Sequence, residues 1–197
     1  MSVDVATIND GLADGLAAAR RSLVRIVSRG RGVGSGVAWA GDGMVVTNAH
    51  VVEHAAVEVI AANGERLPGR VVAVDEGADV AFVATDAELE PAPVRDARDV
   101  RPGELAFAMG SPWGIAEAVT SGVVIGVGDE WMAGHSGRDW LALAMRLRPG
   151  NSGGPVFDAQ GRLIGLSTIM AGPDVGLAVP SHVVSGVARM ALAPSIV

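Results

Sequence analysis

The sequence predicts an all-β fold built as two barrels, and three observations carry that reading. Short apolar runs, several of them alternating with polar residues, recur along the chain, bounded by Gly, Pro, Asn and Asp. Glycine is abundant at 27 residues, and the apolar residues lean to Val and Ala, a composition that suits strands joined by tight turns. A stretch over 86–103, with Pro91, Pro93 and Pro102 among acidic residues, divides the strands into two groups. Many short strands at close spacing mean a barrel or a sandwich, and two strand-rich halves around a linker read as two barrels. With 197 residues, 49% of them hydrophobic, the chain can form one large domain or two packed halves with a substantial core.

Taken in order, residues 8–20 place Ile8, Leu12, Leu16 and Ala19 on one helical face, with Asn9 or Asp10 as caps, although Gly11 and Gly15 weaken a helix there. This N-terminal segment, 1–21, is read as a docking element. Strand signals begin at 22–28. Gly30, Gly32, Gly34 and Gly36 then form a glycine-rich bend, which is no phosphate cradle because no Gly-Lys-Ser/Thr follows and Val37-Ala38-Trp39 reads as strand. Gly41-Asp42-Gly43 turns between strands 35–40 and 43–48. Strands follow at 57–61, 69–75 and 79–84, with Asn63-Gly64 as another turn. Beyond the linker, strands are expected near 104–109, 118–127, 140–147, 155–158, 162–169 and 175–179. Ser181 is expected to cap a last helix through Met190, with Val183, Val184 and Val187 facing inward. The layout is a single domain over 1–197, with a first barrel at 22–90, a second at 103–180 and a helix and tail at 181–197.

Charge and composition exclude several functions. A formal net charge of −7 argues against a general binder of phosphate backbones, and Arg20, Arg21, Arg25, Arg29 and Arg31 read as a solvated face. The absence of cysteine removes disulfides, thiolate catalysis and Cys-ligated zinc. No stretch has the length of a transmembrane span. The opening Met1-Ser2-Val3-Asp4 lacks the features of a signal peptide, which places the chain in the cytoplasm as it stands and outside it if a leader precedes the sequence.

The chemistry centres on Arg148-Pro149-Gly150-Asn151-Ser152-Gly153-Gly154-Pro155. Serine is a poor nucleophile at neutral pH and needs a base, together with donors for the oxyanion that its attack creates. Glycines let the backbone turn sharply and present N–H groups to that oxygen. Of His50, His54, His135 and His182, His50 ends a strand-like run and can face a cleft while rigidly held. A base needs a carboxylate to fix its tautomer. Asp79, opening an apolar strand, meets that need, with Asp75 equally eligible on chemistry alone.

Thr47-Asn48-Ala49-His50-Val51-Val52, Ala78-Asp79-Val80-Ala81, Gly110-Ser111-Pro112-Trp113-Gly114, Thr120-Ser121-Gly122-Val123-Val124, Pro149-Gly150-Asn151-Ser152-Gly153-Gly154-Pro155 and Gly176-Leu177-Ala178-Val179-Pro180 together resemble the HtrA/Deg family of trypsin-like serine proteases, in that family's order and over roughly 22–190. The resemblance implies the trypsin-like pair of six-stranded antiparallel barrels and a cofactor-free serine endopeptidase acting on unfolded or flexible polypeptides. His50 is then the general base, Asp79 its orienter and Ser152 the nucleophile. Gly150 and Ser152, with Asn151 between them, supply the oxyanion hole, and activity should fall as His50 protonates. The residue that precedes the cleaved bond would enter a pocket of Leu147, Leu166, Ser167, Thr168, Leu177 and Ala178. That set holds no carboxylate, so a small or medium aliphatic residue fits better than Lys or Arg. Arg146 and Arg148 depart from the family's more neutral stretch. A PDZ module is missing, so PDZ-driven sensing and cage assembly do not carry over. Trimers through 1–21, and a regulatory role for the loop 128–139, rest on family analogy.

Three rival readings compete. His50-Val51-Val52-Glu53-His54 fits the H-x-x-E-H signature of zinc hydrolases, provided the segment is a sustained helix. Gly150-Asn151-Ser152-Gly153-Gly154 fits the nucleophile elbow of α/β-hydrolases, with Asp158 or Asp174 and then His182, provided a helix follows the serine. The third is a catalytically silent, protease-like binding or chaperone domain. His135 reads as an exposed loop residue and His182 as the start of the last helix. Trp39, Trp113, Trp131 and Trp140 read as core or loop anchors.

Overall fold

A computed structural model describes residues 4–28, 33–115, 117–131 and 137–192. Strands β1 (Leu23–Val27), β2 (Val33–Ala40), β3 (Met44–Thr47), β4 (Ala56–Ile60), β5 (Arg66–Asp75) and β6 (Val80–Ala84) close into a barrel in the order β1-β2-β3-β6-β5-β4. Strands β7 (Leu105–Gly110), β8 (Ala118–Gly128), β9 (Trp140–Ala144), β10 (Pro155–Asp158), β11 (Leu163–Met170) and β12 (Gly176–Pro180) close a second, in the order β10-β11-β12-β9-β8-β7. Every pairing within the barrels is antiparallel, and closure leaves neither sheet with an open edge. The long strands β5 and β8 curve around their barrels through register shifts at Val71/Ala73 and Val124/Gly126.

The two-residue period of the strands sorts the apolar residues into three main cores and a small cluster of Trp140, Ala142 and Leu177. Val24, Ile26, Val45, Val59 and Val83 fill the first barrel. Ala106, Val124, Leu141, Leu143, Val156 and Ile164 fill the second. Between the barrels, Val37, Val46, Val80 and Phe82 meet Met109, Phe157, Leu166 and Val179 in one shared core, which sets how the barrels stand and therefore how the site is assembled.

Several details differ from the sequence reading. Helix α1 (Val5–Ala19) starts a turn before Asn9 and Asp10, because the Asp4 carboxylate caps it by accepting the Ala6 N–H at 3.1 Å. Its Leu16 and Ala19 join the shared core, while the side chain of Ile8 lies outside the described set. In place of a bend, Gly34 and Gly36 lie within β2; a Cβ on Gly36 would come within 3.0 Å of Val45 Cγ1, so the glycine lets β2 pack against its neighbours. Gly30 and Gly32 are outside the described residues. Strand β9 stops at Ala144, short of 147, where the chain leaves the sheet toward Ser152. Helix α2 (Ser181–Ala191) is preceded by Pro180, and Ser181 does not cap it: its hydroxyl donates to the Arg95 carbonyl. Val184 and Val187 are buried, Val183 only partly.

The linker packs as a strap. Ala92, Ala97 and Val100 are buried and Val94 bridges to Leu163. The Arg95 guanidinium, 2.6 Å from Glu104 and 3.3 Å from Asp158, ties the strap to β10. No helix of the described residues is long and apolar enough to cross a membrane.

Candidate active site

The first barrel supplies an imidazole and a carboxylate. Beyond Thr47, Asn48 stays extended and a single 3-10 turn, Ala49–Val51, lifts His50 off the end of β3. The β5–β6 turn carries Asp79 at φ +55, a left-handed conformation that a short polar side chain tolerates. His50 Nδ1 lies 3.0 Å from each Asp79 carboxylate oxygen, and the His50 backbone N–H donates to Oδ1 at 3.1 Å. Thr168 Oγ1 donates to Oδ2 at 2.7 Å from the second barrel. Burial works to raise the Asp79 carboxyl, but the hydrogen bonds from His50 and Thr168, helped by the imidazole's charge, outweigh it and hold Asp79 below the ordinary carboxylate range. The His50 side chain is 46% exposed and that of Asp79 15%, so the carboxylate is sheltered and the imidazole open to solvent. Asp75, its chemical equal in the sequence, instead accepts the Ala78 N–H at 2.9 Å and holds the turn.

The second barrel supplies a hydroxyl on a turn made of backbone. The Arg148 carbonyl accepts the Asn151 N–H at 2.9 Å, with Pro149 and then Gly150 at φ +99 between them, the pattern of a type II turn. A Cβ on Gly150 would stand 2.4 Å from the Ser111 carbonyl oxygen, so the position admits no side chain. The Gly150 carbonyl is turned inward, accepting Ser35 Oγ at 2.8 Å and the Ser111 N–H at 3.2 Å. Asn151 is buried and braces the turn by accepting the Arg148 N–H at 3.1 Å. The N–H groups of Gly150 and Ser152 donate to nothing among the described residues. Ser152 Oγ donates to the Thr168 carbonyl at 3.3 Å and makes no hydrogen bond to His50.

Two residues join these halves, and sequence reasoning assigned neither this part. Asn48, wholly buried, donates to the Asp79 carbonyl at 2.9 Å and accepts the Gly153 N–H at 2.7 Å. Thr168, read as a pocket wall, touches both Asp79 and Ser152. A third residue, Arg138, donates to the Ala78 carbonyl at 2.7 Å, next to Asp79, with its guanidinium 4.1 Å from the Trp140 ring centre. Asn48 stood within a quoted motif. Arg138 left no signal, because its partner lies 60 residues away.

The expected pocket residues do not share one place. Leu147 and Ala178 pack together with Met145 and Met170, and the Leu147 N–H lies 3.2 Å from the Met170 sulfur. Leu166 faces the core between the barrels, and Leu177 packs against Trp140. Ser167 is buried and pairs by its backbone with Gly153 and Gly154.

Two rival readings fail on geometry. His50 and His54 share no helix, since one 3-10 turn ends at Val51 and an extended Val52 follows, so H-x-x-E-H cannot set two imidazoles on one metal. Strand β10 follows Ser152 where the nucleophile elbow needs a helix. His182, the second residue of α2, places Nε2 3.0 Å from Asp139. Trp113 is 70% exposed and anchors nothing in the core, whereas Trp39 packs edge-on against Phe82 and Trp140 is buried. His135 lies outside the described residues.

A twin-barrel fold with a serine turn facing a histidine–aspartate pair defines the class of the trypsin-like peptidases, and the family model described as the trypsin-like peptidase domain matches residues 34–166. The chain belongs to that family, and its relatives are of the HtrA/Do type. It is 36% identical over 169 residues to protease Do-like 1, chloroplastic, of Arabidopsis thaliana, covering 80% of this chain and 38% of that protein. It is 33% identical over 161 residues to the periplasmic serine endoprotease DegP of Escherichia coli K12, covering 77% and 34%. The solved serine endoprotease from Yersinia pestis superposes with a TM-score of 0.83 at 25% identity, over 92% of this chain and 66% of that one. The chain thus spans well under half the length of these curated relatives.

Proposed function

We propose that the chain is a serine endopeptidase in which Ser152 attacks a peptide carbonyl. His50 takes the hydroxyl proton and gives it to the leaving amine, and water then releases the acyl group by the same steps in reverse. Asp79 holds the imidazole with Nδ1 protonated, leaving Nε2 free to accept. The N–H groups of Gly150 and Ser152, which have no other partner among the described residues, receive the oxyanion. One observation carries the reading: Thr168 touches both the carboxylate and the nucleophile, so hydroxyl, imidazole and acid belong to one constellation across two barrels. Ser152 Oγ rests on the Thr168 carbonyl and must rotate to His50 before it reacts. Apo sites often show such loose geometry.

Leu147, Met145, Met170 and Ala178 form an apolar wall with no carboxylate, which supports a small or medium aliphatic residue before the cleaved bond. The substrates in this reading are unfolded or flexible polypeptide segments, which can lie extended along the cleft. Self-association through 1–21 belongs to the same reading: apart from Leu16 and Ala19, most described side chains of α1 are exposed.

The test is labelling by a fluorophosphonate probe, for the wild type and Ser152→Ala, with and without a chelator. The expected result is labelling that Ser152→Ala abolishes and the chelator leaves alone, followed by cleavage of peptides with Val, Ala or Leu before the bond in preference to Lys or Arg. A folded wild type that never labels would favour the silent binding domain, the reading to which the Ser152–Thr168 contact lends its weight.

A further inference from the structure

We infer that Arg25 forms a subsite for a carboxylate of the polypeptide on the leaving side of the cleaved bond, an inference that rests on the protease reading. Arg25 was expected on a solvated face, yet it is partly buried, and its Nε is closed to solvent with no hydrogen-bond partner. Of the partly buried arginines among the described residues, Arg95 and Arg162 meet Asp158, Arg138 meets the Ala78 carbonyl and Arg148 lies over Trp113. Arg25 alone meets no acid, acceptor or ring among the described residues. Scarcity of acids is not the reason, since Asp and Glu number 22 against 15 Lys and Arg. A guanidinium taken partly out of water with nothing to pair with is costly, and a planar carboxylate meets its fork bidentately.

The position ties this cation to the site. On β1, Val24 and Ile26 point into the barrel, while Arg25 stands opposite Ser35 of β2 and Ile60 of β4, on the outer face with them. Ser35 is the residue whose hydroxyl holds the Gly150 carbonyl and accepts the Ser111 N–H. Arg25 lines a groove between the barrels with Ile60, Ala61, Gly64, Ser111 and Glu117. Glu117, which also lines the groove, lies 3.8 Å from Arg20 and makes no ion pair with Arg25. Ser152 sits between Thr168, which accepts its hydroxyl, and Ser35, whose N–H donates to its carbonyl at 2.9 Å. The apolar wall of Met170 and Leu147 is on the Thr168 side and Arg25 on the Ser35 side, so Arg25 flanks the segment that leaves. Two to four residues of extended chain, at ~3.4 Å each, reach such a position. The carboxylate comes from an Asp or Glu side chain or from the chain terminus.

The test uses internally quenched peptides sharing one cleavable bond. One is neutral with an amidated end. Others carry a single Glu at the second, third or fourth residue after the bond, and others end in a free carboxylate at those distances. We expect Glu at one of these positions to raise kcat/KM about tenfold over the neutral peptide, mostly through KM, with the free-terminus series telling side chain from terminus. In Arg25→Gln the ratio of acidic to neutral kcat/KM falls to near one, and in Arg25→Glu it inverts in favour of a Lys peptide. The ratio within each protein removes any general loss of activity, and the wild-type series stands without a variant. Cleavage of all peptides at equal rates, or a preference surviving Arg25→Gln, overturns the inference and leaves the protease reading standing. A size change in Arg25→Gln by light scattering, without a peptide preference in the wild type, would give the cation to a second copy and overturn it too. Failure of every peptide together with failure of the probe defeats the protease reading and this inference with it.

Discussion

On the first barrel, Asp79 is held by side chains and donors converging on one carboxylate: His50 through ring and backbone, and Thr168 through its hydroxyl. On the second, Ser152 is held by main chain: a turn closed from Arg148 to Asn151, a carbonyl at Gly150 gripped from two sides, and glycines at positive φ at 150 and 153. The difference teaches where each half is brittle. A half made of side chains fails when one functional group is exchanged for a look-alike. A half made of backbone fails when a single methyl is added.

Asp79→Asn should have the largest effect, because it keeps the shape of the acid and changes only its chemistry. The amide no longer demands a proton on Nδ1, and the imidazole settles in the wrong tautomer. We expect kcat to fall about 10³–10⁴-fold with little change in KM or melting temperature. Steady-state kinetics beside a melt check this, and a fall below tenfold would remove Asp79 from the role of orienter. Gly150→Ala is the matching test on the second barrel. Its Cβ would meet the Ser111 carbonyl at 2.4 Å and the φ of +99 is strained for any L side chain, so the turn must move and the proposed oxyanion donor with it. A loss of about 10²–10³ in kcat is expected, with the Asp79–His50 pair intact by NMR of the imidazole. An active Gly150→Ala enzyme would mean that the oxyanion is received elsewhere.

Asn48→Ala sharpens the comparison by cutting the tie between the two halves. It strands the Asp79 carbonyl and relieves the Gly153 N–H of its shorter bond, although Gly153 keeps Ser167 at 2.8 Å. The expected cost is about 1–3 kcal/mol of stability and roughly tenfold in kcat, smaller than either change above because each half keeps its own remaining bonds. Chemical denaturation and kinetics on the same preparation separate the two.

Much of this was legible in the sequence, for reasons that particular residues make plain. The strands were readable because burial imposes a period of two, so Val24 and Ile26 announce β1 without any neighbour. His50, Asp79 and Ser152 were readable as candidates because each sits in a local string whose turn chemistry is its own. What stayed hidden depends on distant partners. Thr168 reads as a pocket wall until β11 is seen to bring its hydroxyl to Asp79, 89 positions away. The alternation on β1 says that Arg25 points out of its barrel, but not that a second barrel stands in front of it. The helix caps were missed at both ends for a simpler reason: Asp4 and Ser181 compete with nearby polar residues, and only geometry tells which oxygen meets which N–H.

The smallest expected effect lies away from the cleft and separates stability from chemistry in the second barrel. Glu104, receiving Arg95 first and then Arg101, has its carboxyl pushed down from an ordinary 4.5 to about 2, against the opposing pull of burial. A carboxyl whose folded value is depressed stabilises the fold above its unfolded value and loses that contribution as the pH falls through the folded one. This contribution is therefore complete above about pH 4.5 and drains away toward pH 2. Glu104→Gln should melt about 2–4 °C lower than the wild type at pH 7, a difference of ~1 kcal/mol after allowance for solvent screening. The two proteins should converge as the pH approaches 2, while kcat at pH 7 stays the same because the strap touches neither His50 nor Ser152. Melting curves at several pH values check the convergence. A gap that persists at pH 2 would assign the stabilisation to packing of the Glu104 side chain rather than to its charge.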